Sequence, residues 1–465
     1  MTIDAAADIG ALMARARTAQ AIVEEYSQQQ VDELIKAMVW SVAKQDAAEE
    51  IAQLTIEETQ LGNYDGKFTK IFRKTRAALY DILDDKSVGI IEEDKERNLI
   101  KIAKPAGVIG ALSPTTNPEA TPVIKAINAI KGRNAIIVAP HPRAKFTNKL
   151  VCDKMRAALV AMGAPADLVI AIEQPSLEGT SELMKQCDVV LATGGAAMVK
   201  AAYSSGTPAL GVGAGNAVIT VDNTADLDDA AEKIRISKTF DLAASCSSDN
   251  SVIALESIHD TLLDKLQAEG GYLVSAEEYH KIAAVLWVDG HLNPKAIVQP
   301  ANVICGMAGI DISAEKTFII VPETGVGADH PFSGEKLSVV MALYKVKDLG
   351  EAIELTNAIQ RYQGLGHSCG LYTTNQENII QFGMGTRTSR VMINQPQSVS
   401  NSANVWNGMR QTFSLGCGYW GGNSTTENIN WKHLVNITWV SMPLAAPKVI
   451  PTDEELFGDV MARVG

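Results

Sequence analysis

A chain of 465 residues, 46% hydrophobic and 20% charged, is long enough for two or three cores at about 150 residues per domain. The net charge of −13 disfavours a nucleic-acid partner, because a phosphate backbone calls for an excess of Lys and Arg. No apolar run reaches the roughly 18 to 20 residues that cross a bilayer, and the N-terminus lacks the apolar core of a signal peptide. Six cysteines without a CxxC pair indicate reduced thiols, so we expect a cytoplasmic protein with no membrane partner.

The first 85 residues read mostly as helix. One stripe of apolar residues at helical spacing supports this: Val31, Leu34, Ile35, Met38 and Val42. Two short β-rich runs follow around the charged turn "EEDKERN", which predicts a projecting hairpin at about 88–104.

From Gly107 the chain alternates strand-like and helix-like segments as far as the strand "NAVITV" at 216–221. Such β-α-β alternation predicts a parallel sheet with helices on both faces. We therefore predict an α/β fold whose first, Rossmann-type cofactor domain spans residues 1–238.

A second alternating region begins after Cys246, with strand candidates such as "NSVIALE" and "VVMALYKV". It predicts a second α/β domain at 239–425. The β-rich end of the chain, 426–465, is predicted to hold an additional strand and a tail.

Two glycine-rich stretches invite comparison with a dinucleotide-binding loop. "GVGAGN" (211–216) runs into a strand, whereas a phosphate-binding loop opens a helix, so we interpret it as a tight structural turn. "DVVLATGGAAMVKAA" is better placed, because a strand runs through Thr193, Gly194 and Gly195 directly into a helix. The backbone N–H groups at that helix start suit a pyrophosphate, although a Gly pair before a helix is also a common turn.

Cys246 lies among small and hydroxylated residues in "DLAASCSSDNS". A single cysteine is most often a buried packing residue. Here no large apolar side chain accompanies it, and a helix-like segment ends just before, so we expect an accessible thiol. With a pKa near the ordinary ~8.5, a few per cent of thiolate suffices for attack on an aldehyde. The other five cysteines are predicted to be structural.

Three polar residues are candidates for supporting roles. Asn117 follows a strand and can donate to an oxyanion, but Asn-Pro also favours a plain helix-start turn. His367 lies between glycines in "GLGHSCG" and is a candidate acid or base, although a lone His is usually structural. Glu335, in "SGEKLSVV", precedes a strand. Its carboxylate can bind the hydroxyls of a ribose, or it is simply a solvated charge in a loop. No His/Cys/Asp cluster has zinc-ligand spacing, so we assign no metal.

Nine stretches in order give the chain a family resemblance: "PAGVIGALSPTTNP", "VAPHPRA", "VLATGG", "PALGVGAGN", "SKTFD…SC", "GEKLSVV", "GLGHS", "VMINQP" and "LGCGYWGGNSTTENI". Over nearly its whole length the chain resembles the CoA-acylating branch of the aldehyde dehydrogenase superfamily. It is similar to acylating acetaldehyde and propionaldehyde dehydrogenases and to the aldehyde dehydrogenase half of bifunctional aldehyde–alcohol dehydrogenases.

The resemblance implies a role for each candidate residue. It makes Cys246 the catalytic nucleophile, with Asn117 and the Cys246 backbone N–H as oxyanion donors. It puts Glu335 at a cofactor ribose and His367 near the site of thioester transfer. Thr193, Gly194 and Gly195 then face the pyrophosphate of a nicotinamide cofactor.

The resemblance is most informative at Gly211. Hydrolytic aldehyde dehydrogenases carry a general-base glutamate there, whereas this chain reads "ALGVGAG" without a carboxylate. A general base contributes roughly 10²–10⁴ in rate, so its absence favours coenzyme A over water as the acyl acceptor. We predict reversible oxidation of a small aldehyde to its acyl-CoA. The alternatives are a hydrolytic enzyme that gives a free acid and a non-catalytic dinucleotide-binding protein.

Cofactor choice depends on the segment "APHPRAK", where many relatives have a lysine and a glutamate. We assign Pro140, His141 and Arg143 to cofactor binding. No acid here repels a 2′-phosphate, and Arg143 and Lys145 are close by, so NADP stays open, although we expect NAD.

Substrate and assembly follow from the resemblance too. "SCSSDNS" and "NQPQS" look like acylating sulfoacetaldehyde dehydrogenases, and Arg361 is one candidate for meeting a sulfonate, unless it is a solvated surface arginine. The N-terminus lacks the targeting helix of microcompartment enzymes, which favours a free cytosolic enzyme. The hairpin and the β-rich "HLVNITWVSM" resemble the oligomerisation elements of the family, so we predict a homo-oligomer, a dimer or a tetramer.

Overall fold

A computed structural model describes residues 5–464, and its first part is helical as predicted. All five residues of the predicted stripe are buried, because the apolar face of the second helix packs on the first core. A π-helical turn, Lys70–Lys74, interrupts this region between its last two helices. The helices are α1 (Ala5–Val23), α2 (Gln28–Ala43), α3 (Gln45–Thr59), α4 (Tyr64–Thr69) and α5 (Thr75–Leu83).

The predicted hairpin is present. Strands β1 (Gly89–Asp94) and β2 (Leu99–Pro105) pair antiparallel on either side of a turn at 95–98. The charged turn residues stay exposed at its tip, which is where polar turn chemistry is expected.

The first sheet is parallel and has five strands in the order β5-β4-β3-β6-β7. Its central strands are buried on both faces, as parallel strands flanked by helices require. The strands are β3 (Val108–Ser113), β4 (Ala135–Pro140), β5 (Val169–Ala171), β6 (Val189–Thr193) and β7 (Ala209–Val212). The helices between them are α6 (Thr121–Lys131), α7 (Lys145–Ala161), α8 (Leu177–Gln186) and α9 (Ala196–Tyr203).

The second sheet has seven parallel strands in the order β10-β13-β14-β9-β8-β15-β16. Its strands are β8 (Ala217–Val221), β9 (Asp249–Leu255), β10 (Gly271–Leu273), β13 (Phe318–Pro322), β14 (Val340–Val346), β15 (Cys369–Tyr372) and β16 (Val391–Ile393), and a separate ribbon is formed by β11 (Trp287–Val288) and β12 (His291–Leu292). The helices of this region are α10 (Leu227–Thr239), α11 (His259–Ala268), α12 (Ala276–Leu286), α13 (Ala301–Met307), α14 (Leu349–Tyr362), α15 (Gln376–Gly385) and α16 (Gln397–Ser400).

One placement differs from the sequence prediction. The strand that we predicted to end the first sheet, β8, pairs instead with β9 and β15 of the second. Helix α10 also packs its apolar residues into the second core. The change of sheet therefore falls between Val212 and Ala217, ahead of the predicted boundary at 238. Regular alternation continues across the junction, so periodicity alone cannot locate it.

The predicted C-terminal strand, β17 (Val435–Ser441), pairs antiparallel with β2 and makes a three-stranded sheet of order β1-β2-β17. An exposed helix, α17 (Asp453–Val464), follows it. Within residues 5–464, no helix has both the length and the apolar character that a bilayer span requires.

Strand order in the first sheet marks where a ligand can bind. The chain starts at β3, moves outward through β4 to β5, and then returns to the other side of β3 with β6. The loops after β3 and β6 therefore diverge and leave a crevice at the carboxyl ends of these strands. Both Asn117 and the Thr193–Gly195 segment lie in those loops.

Candidate active site

Two cavities meet at Cys246. The larger is a cleft of about 330 Å³ at the crevice of the first sheet. The smaller is a pocket of about 40 Å³, which shares Asn117, Cys246 and Phe413 with the cleft. The cleft brings together seven of the predicted site residues: Asn117, His141, Thr193, Gly194, Gly195, Cys246 and Glu335.

An eighth predicted site residue, His367, contacts the Cys246 thiol but lines neither cavity. Its Nε2 lies 3.2 Å from Cys246 Sγ, and its Nδ1 lies 2.8 Å from Ser368 Oγ. Arg390 fixes the loop by donating from Nη1 to the carbonyl of His367 at 2.9 Å. The imidazole is fully buried, so it meets Cys246 inside the protein rather than in a wet loop.

Burial leaves both the Cys246 thiol and the His367 imidazole uncharged at neutral pH. Burial, with the charge of Glu335 as a second cause, raises the pKa of the Cys246 thiol to about 12. Burial, aided by Arg390, lowers the pKa of His367 to about 3. The expectation of an ordinary thiol pKa is therefore wrong: Cys246 is half-buried where the two cavities meet, and the resting state is a thiol beside a neutral imidazole.

Two glycines allow the loops around Cys246 to approach each other. A Cβ on Gly215 would lie 2.0 Å from the Cys246 carbonyl oxygen. Gly366, next to His367, has a φ of +81°, and a Cβ there would lie 2.0 Å from the carbonyl oxygen of Cys417. The "GVGAGN" stretch leads into a strand and opens no helix, as predicted; Gly215 allows its close packing, and Val212, Gly213 and Ala214 of the same stretch also line the cleft.

Asn117 is held in one orientation. Lys70 Nζ donates to Asn117 Oδ1 at 2.5 Å, and Asn117 Nδ2 donates to Thr116 Oγ1 at 3.2 Å. Because the lysine occupies the carbonyl side of the amide, the NH₂ group retains one free hydrogen for a ligand. The backbone N–H of Cys246 likewise makes no hydrogen bond within residues 5–464. These two donors suit a developing oxyanion.

A buried ionic cluster supports that arrangement. The carboxylate of Asp241 accepts from Lys67 Nζ at 2.9 Å, from Lys70 Nζ and from the backbone N–H of Asn63. Burial opposes the charge, but the two lysines lower the pKa of Asp241. Residues 241–243 all have left-handed φ angles of 46° to 61°, which non-glycine residues rarely adopt. The ion pairs hold this strained turn five residues before the nucleophile.

The cleft fits the phosphates and ribose of a nicotinamide dinucleotide. Thr193 Oγ1 is buried and has no hydrogen-bond partner within residues 5–464. Helix α9 starts immediately after Gly195 without a side-chain cap, and a Cβ on Gly195 would meet nothing. An unpartnered hydroxyl and free helix-start N–H groups, open to a crevice, are what an anionic phosphate requires.

Glu335 lies at the inner end of the cleft and is buried. Burial raises the pKa of this carboxyl to about 8, against a hydrogen bond from the backbone N–H of Gly215. A carboxyl group in this state is largely protonated at neutral pH. It is suited to hydrogen bonding with hydroxyls and is not the solvated loop charge of the alternative interpretation.

Three predicted residues lie away from Cys246. Pro140 is buried at the end of β4, and Arg143 is exposed and donates to the carbonyl of Thr59 at 3.1 Å. Neither lines the cleft, so their assignment to the cofactor stays a prediction. Arg361 is exposed on α14 and lines a different surface cavity, which rules it out as the sulfonate contact beside Cys246.

The sequence interpretation missed the residues of the small pocket. Lys70 and Lys74 line it, as do Ser398 and Ser402. One signal was available, because lysines at 67, 70 and 74 follow the i, i+3, i+7 spacing of one helix face. Ser398 ends the quoted "NQPQS", but nothing in its spacing relates it to a lysine more than 300 positions away.

Comparison with known proteins shows the family of the chain. The model of the aldehyde dehydrogenase family matches residues 2–276. A sulfoacetaldehyde dehydrogenase from Acholeplasma sp is 45% identical, across 97% of this chain and 93% of the relative. An acylating sulfoacetaldehyde dehydrogenase from Cupriavidus necator is 40% identical, across 99% and 94%. The crystal structure of an acetylating aldehyde dehydrogenase from Geobacillus thermoglucosidasius superposes with a TM-score of 0.92 at 35% identity, covering 97% of this chain and 99% of that one.

The chain therefore belongs to the aldehyde dehydrogenase family. Within that family it is an acylating aldehyde dehydrogenase, an oxidoreductase that converts an aldehyde reversibly into its acyl-CoA.

Proposed function

We propose that this enzyme oxidises sulfoacetaldehyde to sulfoacetyl-CoA through a thioester on Cys246. The observation that carries the proposal is the position of Cys246, whose thiol lies where a dinucleotide-type cleft meets a small pocket lined by lysines. The names of two relatives, similar over their full length, supply the aldehyde.

The first half-reaction forms and oxidises a thiohemiacetal. Cys246 Sγ bonds to the aldehyde carbon while its proton leaves through the cleft to solvent. Asn117 Nδ2 and the Cys246 N–H hold the resulting alkoxide. The chemistry that a nicotinamide bound in the cleft supplies is acceptance of the hydride from that carbon. The acyl group is then left on Cys246 as a thioester.

The second half-reaction transfers the acyl group to coenzyme A. The incoming thiol attacks the thioester carbon and its proton passes to His367 Nε2, which returns it to Cys246 Sγ at 3.2 Å as the C–S bond breaks. His367 suits this step by its position beside the sulfur and because burial keeps the ring neutral; its pKa of about 3 makes it a weak base that relays the proton rather than holding it. One thioester replaces another, so the step is accessible in both directions.

Water is disfavoured as the acceptor by the packing at Gly211. A Cβ there would lie 2.7 Å from side-chain atoms of both Tyr203 and Val199, so no glutamate fits. The carboxyl that does line the cleft, Glu335, has a pKa of about 8 and is a poor general base at neutral pH.

We propose NAD as the preferred cofactor. Arg143, which we assigned to the cofactor from the sequence, donates to the Thr59 carbonyl and does not line the cleft. A 2′-phosphate would thus gain no charge-assisted contact from it without a change of conformation.

We propose that the enzyme is at least a dimer, assembled through the three-stranded sheet. Ile90, Trp439 and Val440 on its strands are exposed, and β17 has an unpaired edge. Light scattering should give a multiple of the chain mass, and a monomer at micromolar concentration would contradict this.

We place the enzyme in the cytoplasm. All six cysteines are free thiols, and five of them are buried. Such thiols persist in a reducing compartment.

Product analysis tests the proposed reaction. Purified enzyme should reduce NAD⁺ with sulfoacetaldehyde and coenzyme A, and mass spectrometry should detect sulfoacetyl-CoA. Acetaldehyde and propionaldehyde, each with coenzyme A, are the comparison substrates. Equal or higher kcat/KM for either, or sulfoacetate formed as fast without coenzyme A, would overturn the proposal.

A further inference from the structure

The small pocket beside Cys246 contains a buried cation without a counter-ion. Lys74 is 9% exposed, and its Nζ donates to the carbonyls of Val399 at 2.9 Å and Ala403 at 2.6 Å. Ser402 Oγ lies 3.4 Å from it. No carboxylate within residues 5–464 forms an ion pair with it. A buried charge that meets only neutral dipoles is costly, unless an anion from outside completes the site.

The neighbouring lysine adds to the positive potential. Lys70 and Lys67 share one carboxylate, that of Asp241. The other acid of the cluster, Glu119, has both oxygens buried and unpartnered within the described chain, and burial raises its pKa towards the neutral form. Two lysines thus share the one carboxylate of Asp241, and one of them, Lys70, also lines the pocket.

An unused hydrogen-bond donor lies in the same lining. Ser398 is 5% exposed, and its Oγ has no hydrogen-bond partner within residues 5–464. It lines the pocket with Lys74, while Phe413 and Leu415 supply an apolar wall. Because this unpartnered hydroxyl lines the pocket, it is available to hydrogen-bond a ligand there.

We propose that this pocket binds the anionic terminal group of the aldehyde, with Lys74 supplying the charge and Ser398 a hydrogen bond. These two residues then determine the preference for anionic aldehydes. The inference rests on the proposed function for the carbonyl chemistry and adds the recognition site for the other end of the substrate. An uncharged aldehyde places only a hydrogen or methyl group there and leaves Lys74 without a counter-ion.

Both sulfonate and carboxylate have the required chemistry. The pocket is small and directly beside Cys246, which suits an anion one carbon from the aldehyde carbon. Sulfoacetaldehyde meets this requirement. Succinic semialdehyde carries a carboxylate on a longer spacer, so comparing the two substrates distinguishes a sulfonate pocket from a general anion site.

The test is the ratio of kcat/KM for sulfoacetaldehyde to that for acetaldehyde, both with saturating NAD⁺ and coenzyme A. In Lys74→Met the ratio should fall about 100-fold, mainly through KM for sulfoacetaldehyde, because one partner of a desolvated charge pair is lost. In Ser398→Ala it should fall about 10-fold.

Matched controls exist elsewhere in the chain. Lys125 is another buried lysine that donates only to carbonyls, those of Leu112 and Leu191, and Ser338 has a buried, unpartnered hydroxyl outside the pocket. Lys125→Met and Ser338→Ala should leave the ratio unchanged. Competition by isethionate, an unreactive sulfonate, against acetaldehyde should weaken in Lys74→Met but not in Lys125→Met.

The outcomes separate the two proposals. If the wild-type enzyme does not oxidise sulfoacetaldehyde, the proposed function fails. If it does, and Ser398→Ala and folded Lys74→Met both keep the wild-type ratio, the pocket assignment is overturned. If the wild type prefers succinic semialdehyde and both variants lose that preference, the anion site stands and the sulfonate assignment falls. Should Lys74→Met not fold, the substrate ratio and the isethionate competition are both measured in Ser398→Ala. Wild-type values for both would then overturn the pocket assignment.

Discussion

The two cavities that meet at Cys246 are built in different ways. The cleft consists largely of backbone and small residues in the loops after β3 and β6, each contiguous with its own strand. The pocket consists of side chains from separate segments around Lys70, Phe240, Ser398 and Phe413. In our proposal the cleft meets features common to any nicotinamide dinucleotide, whereas the pocket meets the anionic group of one kind of substrate. General chemistry and substrate choice are therefore separable by mutation.

The largest effect on activity is expected at Cys246, whose sulfur lies where the two cavities meet. Cys246→Ala should lower kcat at least about 10³-fold for every aldehyde, because the bond-forming sulfur is lost. NADH formation with sulfoacetaldehyde and with acetaldehyde measures it. Cys305→Ala, which alters another free cysteine in the second core, is the control and should stay within about threefold of wild type.

Asn117 also lines both cavities and ranks next. Asn117→Ala should reduce kcat by about 10²–10³ for charged and uncharged aldehydes alike, because the lost donor acts on the alkoxide. The aldehyde KM should change little, which steady-state kinetics resolves. Asn302→Ala, exposed on α13 and away from both cavities, is the control. A change confined to sulfoacetaldehyde would instead assign Asn117 to the pocket.

A substitution at His367 is expected to slow one half-reaction and to act alike on charged and uncharged aldehydes. His367→Ala should slow steady-state turnover by about 10²-fold while a burst of NADH remains, because acyl transfer to coenzyme A loses its proton acceptor. Stopped-flow fluorescence of NADH distinguishes the two phases. Since the pKa of His367 is about 3, wild-type activity should show no step from this group between pH 5 and 8. Loss of the burst would contradict the assignment.

The contrast between the cavities also explains what the sequence could predict. Thr193, Gly194 and Gly195 were recognisable because a strand, a glycine pair and a helix start are contiguous. Lys74 and Ser398 were not, since only the folded chain brings π-helix 70–74 against α16. The state of Cys246 was missed for the same reason: its neighbours in sequence are small and polar, but those in space, among them Phe413 and Glu335, desolvate and repel a thiolate.

A smaller effect is expected on the cofactor side. Thr193→Val should raise KM for NAD⁺ about 5- to 10-fold through the loss of one hydrogen bond to a charged group, with the aldehyde preference unchanged. Thr220→Val removes another buried, unpartnered hydroxyl, on β8, and should leave that KM at the wild-type value. A shift in aldehyde preference in Thr193→Val would show that the cavities are not independent.

The smallest effect is a pH dependence of the pocket. Burial lowers the pKa of Lys74 to about 8, so its ammonium is charged below that pH and loses its proton above it. KM for sulfoacetaldehyde, relative to acetaldehyde, should therefore rise several-fold between pH 7 and pH 9. Burial also lowers the pKa of Lys70, which acts in the same direction, and Glu335 titrates on the cleft side and affects both substrates. A constant ratio across this range would argue against a charged Lys74 in substrate binding.

The most direct test of the central claim is to trap the acyl group on the enzyme. Enzyme incubated with sulfoacetaldehyde and NAD⁺ but no coenzyme A should gain one sulfoacetyl group per chain, which peptide mass spectrometry should locate on Cys246. Added coenzyme A should discharge it as an equal amount of sulfoacetyl-CoA, faster than water releases sulfoacetate. A label on another residue, or discharge by water at the same rate, would contradict the account.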